Sequence, residues 1–227
     1  MIEFDLARET ARDLNGRLHR LPADTNERSW RVVNPKGAHA LAVGVTVPVE
    51  IEIAGHVGYY CGGMNQAASI TVHGHCGTAV GENMMSGMIR VTGNASQSAG
   101  ASGRGGMLVI EGDASARCGI SMKGIEIVVG GSVGHMSCFM GQAGSLVVCG
   151  DADHDLGDSL YEAEIFVAGR VASLGVDCIE KDLTGEDHAR VASLLERAQI
   201  KADPSKFRRY GSARKLYNFH IDHAGQY

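Results

Sequence analysis

Glycine recurs at a fixed interval: Gly55, Gly74, Gly93, Gly112, Gly131, Gly150 and Gly169 lie 19 residues apart, seven times without an insertion. An uninterrupted repeat is read before any local motif, because it sets the frame in which every other residue falls. Four residues before each glycine stand Ile51, Ile70, Ile89, Leu108, Ile127, Leu146 and Ile165, and two before stand Ile53, Val72, Val91, Ile110, Val129, Val148 and Val167. All are aliphatic, and a spacing of two is the period of a strand. Identical register in every repeat stacks these strands in parallel, about 4.8 Å apart. Two residues after each glycine come Val57, Cys76, Ala95, Ala114, Val133, Ala152 and Val171, smaller side chains that continue the inward row. Gly62, Gly81, Gly100, Gly119 and Gly157 mark a second corner, and Gly87, Gly106 and Gly144 a third. Crossovers between parallel strands are right-handed in nearly all proteins. The pattern therefore predicts an all-β fold, a right-handed parallel β-helix (solenoid) of about seven 19-residue coils.

The flanks are different material. Residues 1–48 are read as an N-terminal capping segment, with a short helix or strand near Phe4–Leu14 and strands at Trp30–Val33 and Leu41–Val47. Residues 49–178 form the β-helix, and 179–227 a C-terminal helix and basic tail. Thr184 followed by Glu186 and Asp187 is a capping signal, and Val191, Leu194, Leu195 and Ala198 repeat at helical spacing, which predicts one amphipathic helix. Residues 201–227 hold six basic side chains against Asp203 and Asp222, so the tail is +4 on a chain of net charge −5. Such a tail suits docking on an acidic surface, its own or a partner's. No basic stripe with aromatic platforms runs along the coils, which excludes nucleic acid. Leu41–Val49 is too short to span a membrane and contains Pro48, and the first twenty residues hold no apolar signal core, so a cytoplasmic protein is expected.

Few residues suggest chemistry. The position after each glycine holds His56, His75, Asn94, Asp113, Ser132, Asp151 and Arg170, a polar ladder on the outside. His56 and His75 stack in register, with His73 nearby, as do His135 and His154, but a third metal ligand of fixed geometry is missing. Asp151, Asp153, Asp155 and Asp158 around His154 read as a polar corner. Met84, Met85, Met88, Met122, Met136 and Met140 read as corner filling. Cys61, Cys76, Cys118, Cys138, Cys149 and Cys178 show no metal-type spacing and read as reduced, buried thiols. No phosphate loop, dinucleotide fingerprint or nucleophile elbow occurs. No catalytic, cofactor-binding or metal residue is therefore expected in this chain. One row does change character: three residues before each glycine, Glu52, Thr71 and Arg90 give way to Val109, Val128, Val147 and Phe166. An outward aliphatic row over four coils is expected to be covered, either by the C-terminal helix or by another subunit.

The repeat I-x-V-x-G with glycine-rich corners resembles the GXGXG domain of the glutamate synthase large subunit, over residues 51 to about 175. Gly55–Gly63, Glu82–Gly87 and Arg117–Gly124 resemble its stand-alone form, as in the β-helical subunit of N-methylglutamate synthase (methylamine-glutamate N-methyltransferase). The resemblance implies a structural subunit of a hetero-oligomeric enzyme. Its implied partners are a class II glutamine-amidotransferase-like subunit and an FMN-binding glutamate-synthase-like subunit that also carries iron–sulfur clusters. Two other readings stand beside it: the related subunit of formylmethanofuran dehydrogenase or of another glutamate synthase, and an independent β-helix enzyme or carbohydrate-binding module.

Overall fold

The computed structural model describes residues 1–215. Its backbone is one 11-stranded sheet wound into a solenoid, with two α-helices on the flanks. The strands that follow the glycine repeat are β3 (Glu50–Ile53), β4 (Ser69–Val72), β5 (Met88–Val91), β6 (Met107–Ile110), β7 (Lys123–Val129), β8 (Ala143–Val148) and β9 (Glu164–Val167). Each pairs in parallel with the next at a 19-residue offset, Ile51 with Ile70, Ile70 with Ile89, and so on to Ile165. Past the glycine, Val57, Cys76, Ala95, Ala114, Val133, Ala152 and Val171 form a second parallel ladder of single bridges. Both inward rows feed one long core, from Phe4 at one end to Tyr210 at the other.

The stack also extends beyond the repeat. β1 (Ile2–Asp5) pairs in parallel with β2 (Ser29–Val33), which pairs in parallel with β3. Leu41–Val47, expected as a strand, is instead the corner of a first coil. Ala40, Ala42 and Gly44 adopt left-handed φ of 53°, 51° and 63°. Their backbone bonds to the corner below: Ala40 N–H donates to Tyr59 O and Gly44 N–H to Gly63 O, both at 2.8 Å. The apolar run misleads because Leu41, Val45 and Val47 do point into the core, but from a turn. Near Phe4–Leu14 both candidate elements exist, β1 and then α1 (Ala11–His19). α1 starts at a capping box between Thr10 and Asp13 and buries Leu14 and Leu18. Its Asn15 donates to Ala40 O at 2.7 Å and accepts from Val43 N–H at 3.1 Å, so α1 satisfies backbone groups that no preceding coil can reach.

At the other end β10 (Cys178–Lys181) and β11 (Arg208–Ser212) enclose α2 (Gly185–Ala198) in sequence. β11 pairs antiparallel with β9 and β10 antiparallel with β11, so the final coil is closed by a reversed hairpin. Among the described residues no helix is long and apolar enough to cross a membrane.

Candidate functional site

The polar ladder is a continuous hydrogen-bond chain. His56 Nδ1 accepts from His75 N–H at 2.9 Å, His75 Nδ1 from Asn94 N–H at 2.8 Å, and Asn94 Oδ1 from Asp113 N–H at 3.0 Å. Asp113 Oδ1 accepts from Ser132 N–H at 2.7 Å, Ser132 Oγ from Asp151 N–H at 3.0 Å, and Asp151 Oδ1 from Arg170 N–H at 2.7 Å. Every rung that must accept is an acceptor type, and the row ends on arginine, which has no acceptor. The glycines belong to the same device. A Cβ on Gly112 would lie 2.1 Å from Asn94 Oδ1, and one on Gly131 2.2 Å from Asp113 Oδ1. The repeat glycine leaves room for the ladder side chain of the coil before it to cross.

This geometry determines what the histidines can do. The His56 and His75 rings stack with centroids 4.8 Å apart and planes 7° off parallel. Since each Nδ1 accepts a backbone proton, each neutral ring carries its own hydrogen on Nε2 and has no lone pair left for a cation. His135 and His154 take separate partners: His135 Nδ1 faces Asp155 at 3.5 Å, and His154 Nε2 faces Asp153 at 3.8 Å. The carboxylates of the acidic turn hold backbone too. Asp153 accepts from His154 N–H, and Asp158 from Val176 N–H and Ser159 Oγ. Among the described residues no three His, Cys, Asp or Glu side chains converge on a point that could hold a metal. All six cysteines are free, and all but Cys149 are buried. Burial pushes the thiols of Cys61, Cys118 and Cys178 up to about 12 and that of Cys149 to about 11, so they are thiols and not thiolates. Met84 and Met122 fill the core, while Met85 is 45% exposed.

Val109, Val128, Val147 and Phe166 form a second, separate core on the outer sheet face, each fully buried. Their cover is α2, through Val191, Leu194, Leu195 and Ala198, with Phe207 beside it. α2 begins at a capping box in which Thr184 and Asp187 satisfy each other's backbone N–H groups. Burial alone would push the Asp187 carboxyl up. The hydrogen bonds from Thr184, with the Arg209 and Arg190 guanidiniums, outweigh it and hold the carboxyl below the usual range. Arg190 pairs with Glu164, and Arg197 with Glu126 at 2.6 Å. At the far end Arg90 donates to Ala198 O at 2.7 Å, a cation on the negative end of the helix. The basic tail docks on the chain's own acids: Arg208 on Glu180, Arg209 on Glu164 and Asp187, Arg214 on Glu162. Residues 216–227 of that tail lie outside the described residues.

A groove of about 830 Å³ beside α1 is lined by Arg17, Arg20, Leu21, Thr25, Glu27 and Trp30 among others. Arg17 there is already paired with Glu9 and stacked on Phe4, and Trp30 Nε1 donates to Glu27 O. These contacts are internal to the fold.

Sequence reasoning missed two features. One is the Arg90 contact, which links residues 108 positions apart. The other is the set of left-handed corner residues, Tyr60, Ala79, Ser98, Arg117, Met136 and Asp155 in one row and Met64, Asn83, Ser102, Ser121, Met140 and Ser159 in another. The ladder itself left a trace in the sequence, since six successive rungs are side chains able to accept.

No family model matches the chain. It is 58% identical over 225 residues to Protein GlxC of Rhizobium meliloti (strain 1021), a match that covers 99% of each protein. A match at that level over 99% of both proteins spans the coils and both flanks, and so this protein belongs to the GlxC family.

Proposed function

We propose that this protein is a non-catalytic structural subunit of a glutamate-synthase-like complex. Within that class N-methylglutamate synthase, which converts methylamine and L-glutamate to N-methyl-L-glutamate and ammonia, is the member whose stand-alone β-helical subunit the sequence resembles. In this reading the amidotransferase-like and FMN-binding subunits hold the reacting groups, with FMN and iron–sulfur clusters in the latter. This chain holds the two sites in register, inside the cytoplasm. The observation that carries the reading is the occupation of the ladder: the imidazoles, carboxylates and hydroxyl that acid–base chemistry would draw on each hold a backbone N–H of the next coil. The GXGXG-like repeat supplies the class of complex. The test is co-expression of the three subunits with and without this one. The reading expects the three to co-purify and N-methylglutamate formation to collapse when this chain is omitted, since alignment of separate sites is then lost. A two-subunit complex working at full rate, or turnover by this chain alone, would refute it.

A further inference from the structure

Several parts of the solenoid have a partner within the chain. α2 covers the apolar half of the sheet face, the ladder row is bonded to itself, and α1 and the β10–β11 hairpin close the ends. The corner that carries the left-handed residues is open. Over three successive coils this side comprises residues 97–106, 115–125 and 134–144, which contain no carboxylate themselves and are flanked by Glu82 on the coil before and by Asp155, Asp158 and Glu162 on the coil after. They do contain Arg104, Arg117 and Lys123, all exposed. None of the three makes an ion pair or a side-chain hydrogen bond among the described residues.

Two of them are neighbours. Lys123 stands 19 residues after Arg104, and its N–H donates to Gly103 O at 2.7 Å, so the two cations lie on neighbouring coils. Like charges on neighbouring coils repel, and among the described residues no acid pairs with either. Beside them lie half-buried apolar side chains, Ile120, Met136, Phe139 and Met140, and the exposed Met85 on the coil before. Uncompensated cations beside an apolar ridge fit a protein surface that brings carboxylates and apolar side chains together, and fit a small anion less well.

We infer that this corner, centred on Arg104, Arg117 and Lys123, is the docking surface for an acidic, partly apolar segment of a partner subunit. The inference rests on the scaffold reading above and names the face that the scaffold uses. The test measures binding of the purified chain to the co-expressed amidotransferase-like and FMN-binding subunits at several salt concentrations. Arg104→Glu with Lys123→Glu is expected to weaken binding to one of them by about tenfold or more and to flatten its salt dependence. A control, Arg31→Glu with Lys201→Glu, makes the same change in net charge on other surfaces and is expected to bind like the parent. Arg104→Gln with Lys123→Gln is expected to melt at or above the parent temperature and still bind more weakly, which separates docking from folding. If both Arg104/Lys123 variants bind like the parent, the docking surface is wrong and the scaffold reading stands. If the parent binds neither subunit, both are wrong.

Discussion

Replacing Gly112 with alanine probes the link between the glycine repeat and the ladder. The added methyl would lie 2.1 Å from Asn94 Oδ1, 3.0 Å from Gly93 O and 3.1 Å from Gly93 C. The first contact is impossible, so Asn94 must swing out and release the Asp113 N–H it holds at 3.0 Å. The other two are tight against backbone and force the coils apart by a few tenths of an ångström. Losing the hydrogen bond costs about 1 kcal/mol and overpacking about 1–3 kcal/mol, so the variant should be destabilised by about 2–4 kcal/mol. Gly112 lies outside the left-handed region, so this cost is steric and not torsional. Asn94→Ala alone should cost about 1 kcal/mol. In the double variant the methyl no longer meets Oδ1, and the cost should fall short of the sum of the two by about 1 kcal/mol. Urea unfolding followed by circular dichroism, with midpoints compared at constant slope, measures all three. Additivity within about 0.3 kcal/mol would show that glycine and ladder are independent, and would sink the argument.

Three further outcomes are expected. Val128→Asp buries a carboxylate between sheet and α2 and should cost several kcal/mol, seen as faster amide exchange across 185–198 before the coils themselves open; unchanged exchange there would mean the face is wet. At neutral pH a thiol reagent should modify at most Cys149 rapidly in the folded protein, and prompt labelling of Cys61 or Cys118 would contradict their burial. Because the Asp187 carboxyl is held below the usual range in the fold, its contribution is present above the ordinary aspartate range and lost as pH falls through its folded value. The stability gap between the parent and Asp187→Asn should therefore be widest near neutral pH and shrink in acid, and a gap that widens in acid would reverse the sign of this reasoning.

The repeating strands were legible because period-two aliphatic pairs at one interval leave a single way to stack. α2 was legible for a different reason, since its cap and apolar stripe are local. The corners were not. Tyr60, Met64, Arg117 and Met136 are residue types that disfavour positive φ, and what holds them there is bonding between coils, such as Tyr60 N–H to Thr78 O and Met64 N–H to Glu82 O, both at 2.8 Å. Local preference carries no record of a bond to a residue 18 positions away. The same limit hid the closing hairpin, whose strands are separated by the whole of α2. The row from Val109 to Phe166 announced that something covers it, while the identity of the cover depended on the length of α2 and on Arg90 reaching its last turn.

That length has a consequence of its own. α2 has 14 residues and so extends about 21 Å, and the four spacings from β9 to β5 amount to about 19 Å. The helix is anchored to Glu164 of β9 through Arg190 in its second turn and to Arg90 of β5 at Ala198, points about 12 Å apart along its axis, and the two arginine side chains span the rest. It therefore works as a ruler laid along the solenoid. A ladder of identical rungs would tolerate the duplication of one coil, because every new rung finds the same partners above and below. The ruler would not, since one more coil between Arg90 and Glu164 would carry its two anchors about 4.8 Å further apart. Coil number over this stretch and helix length can change only together, and a relative with an extra coil there should carry about three more residues in α2.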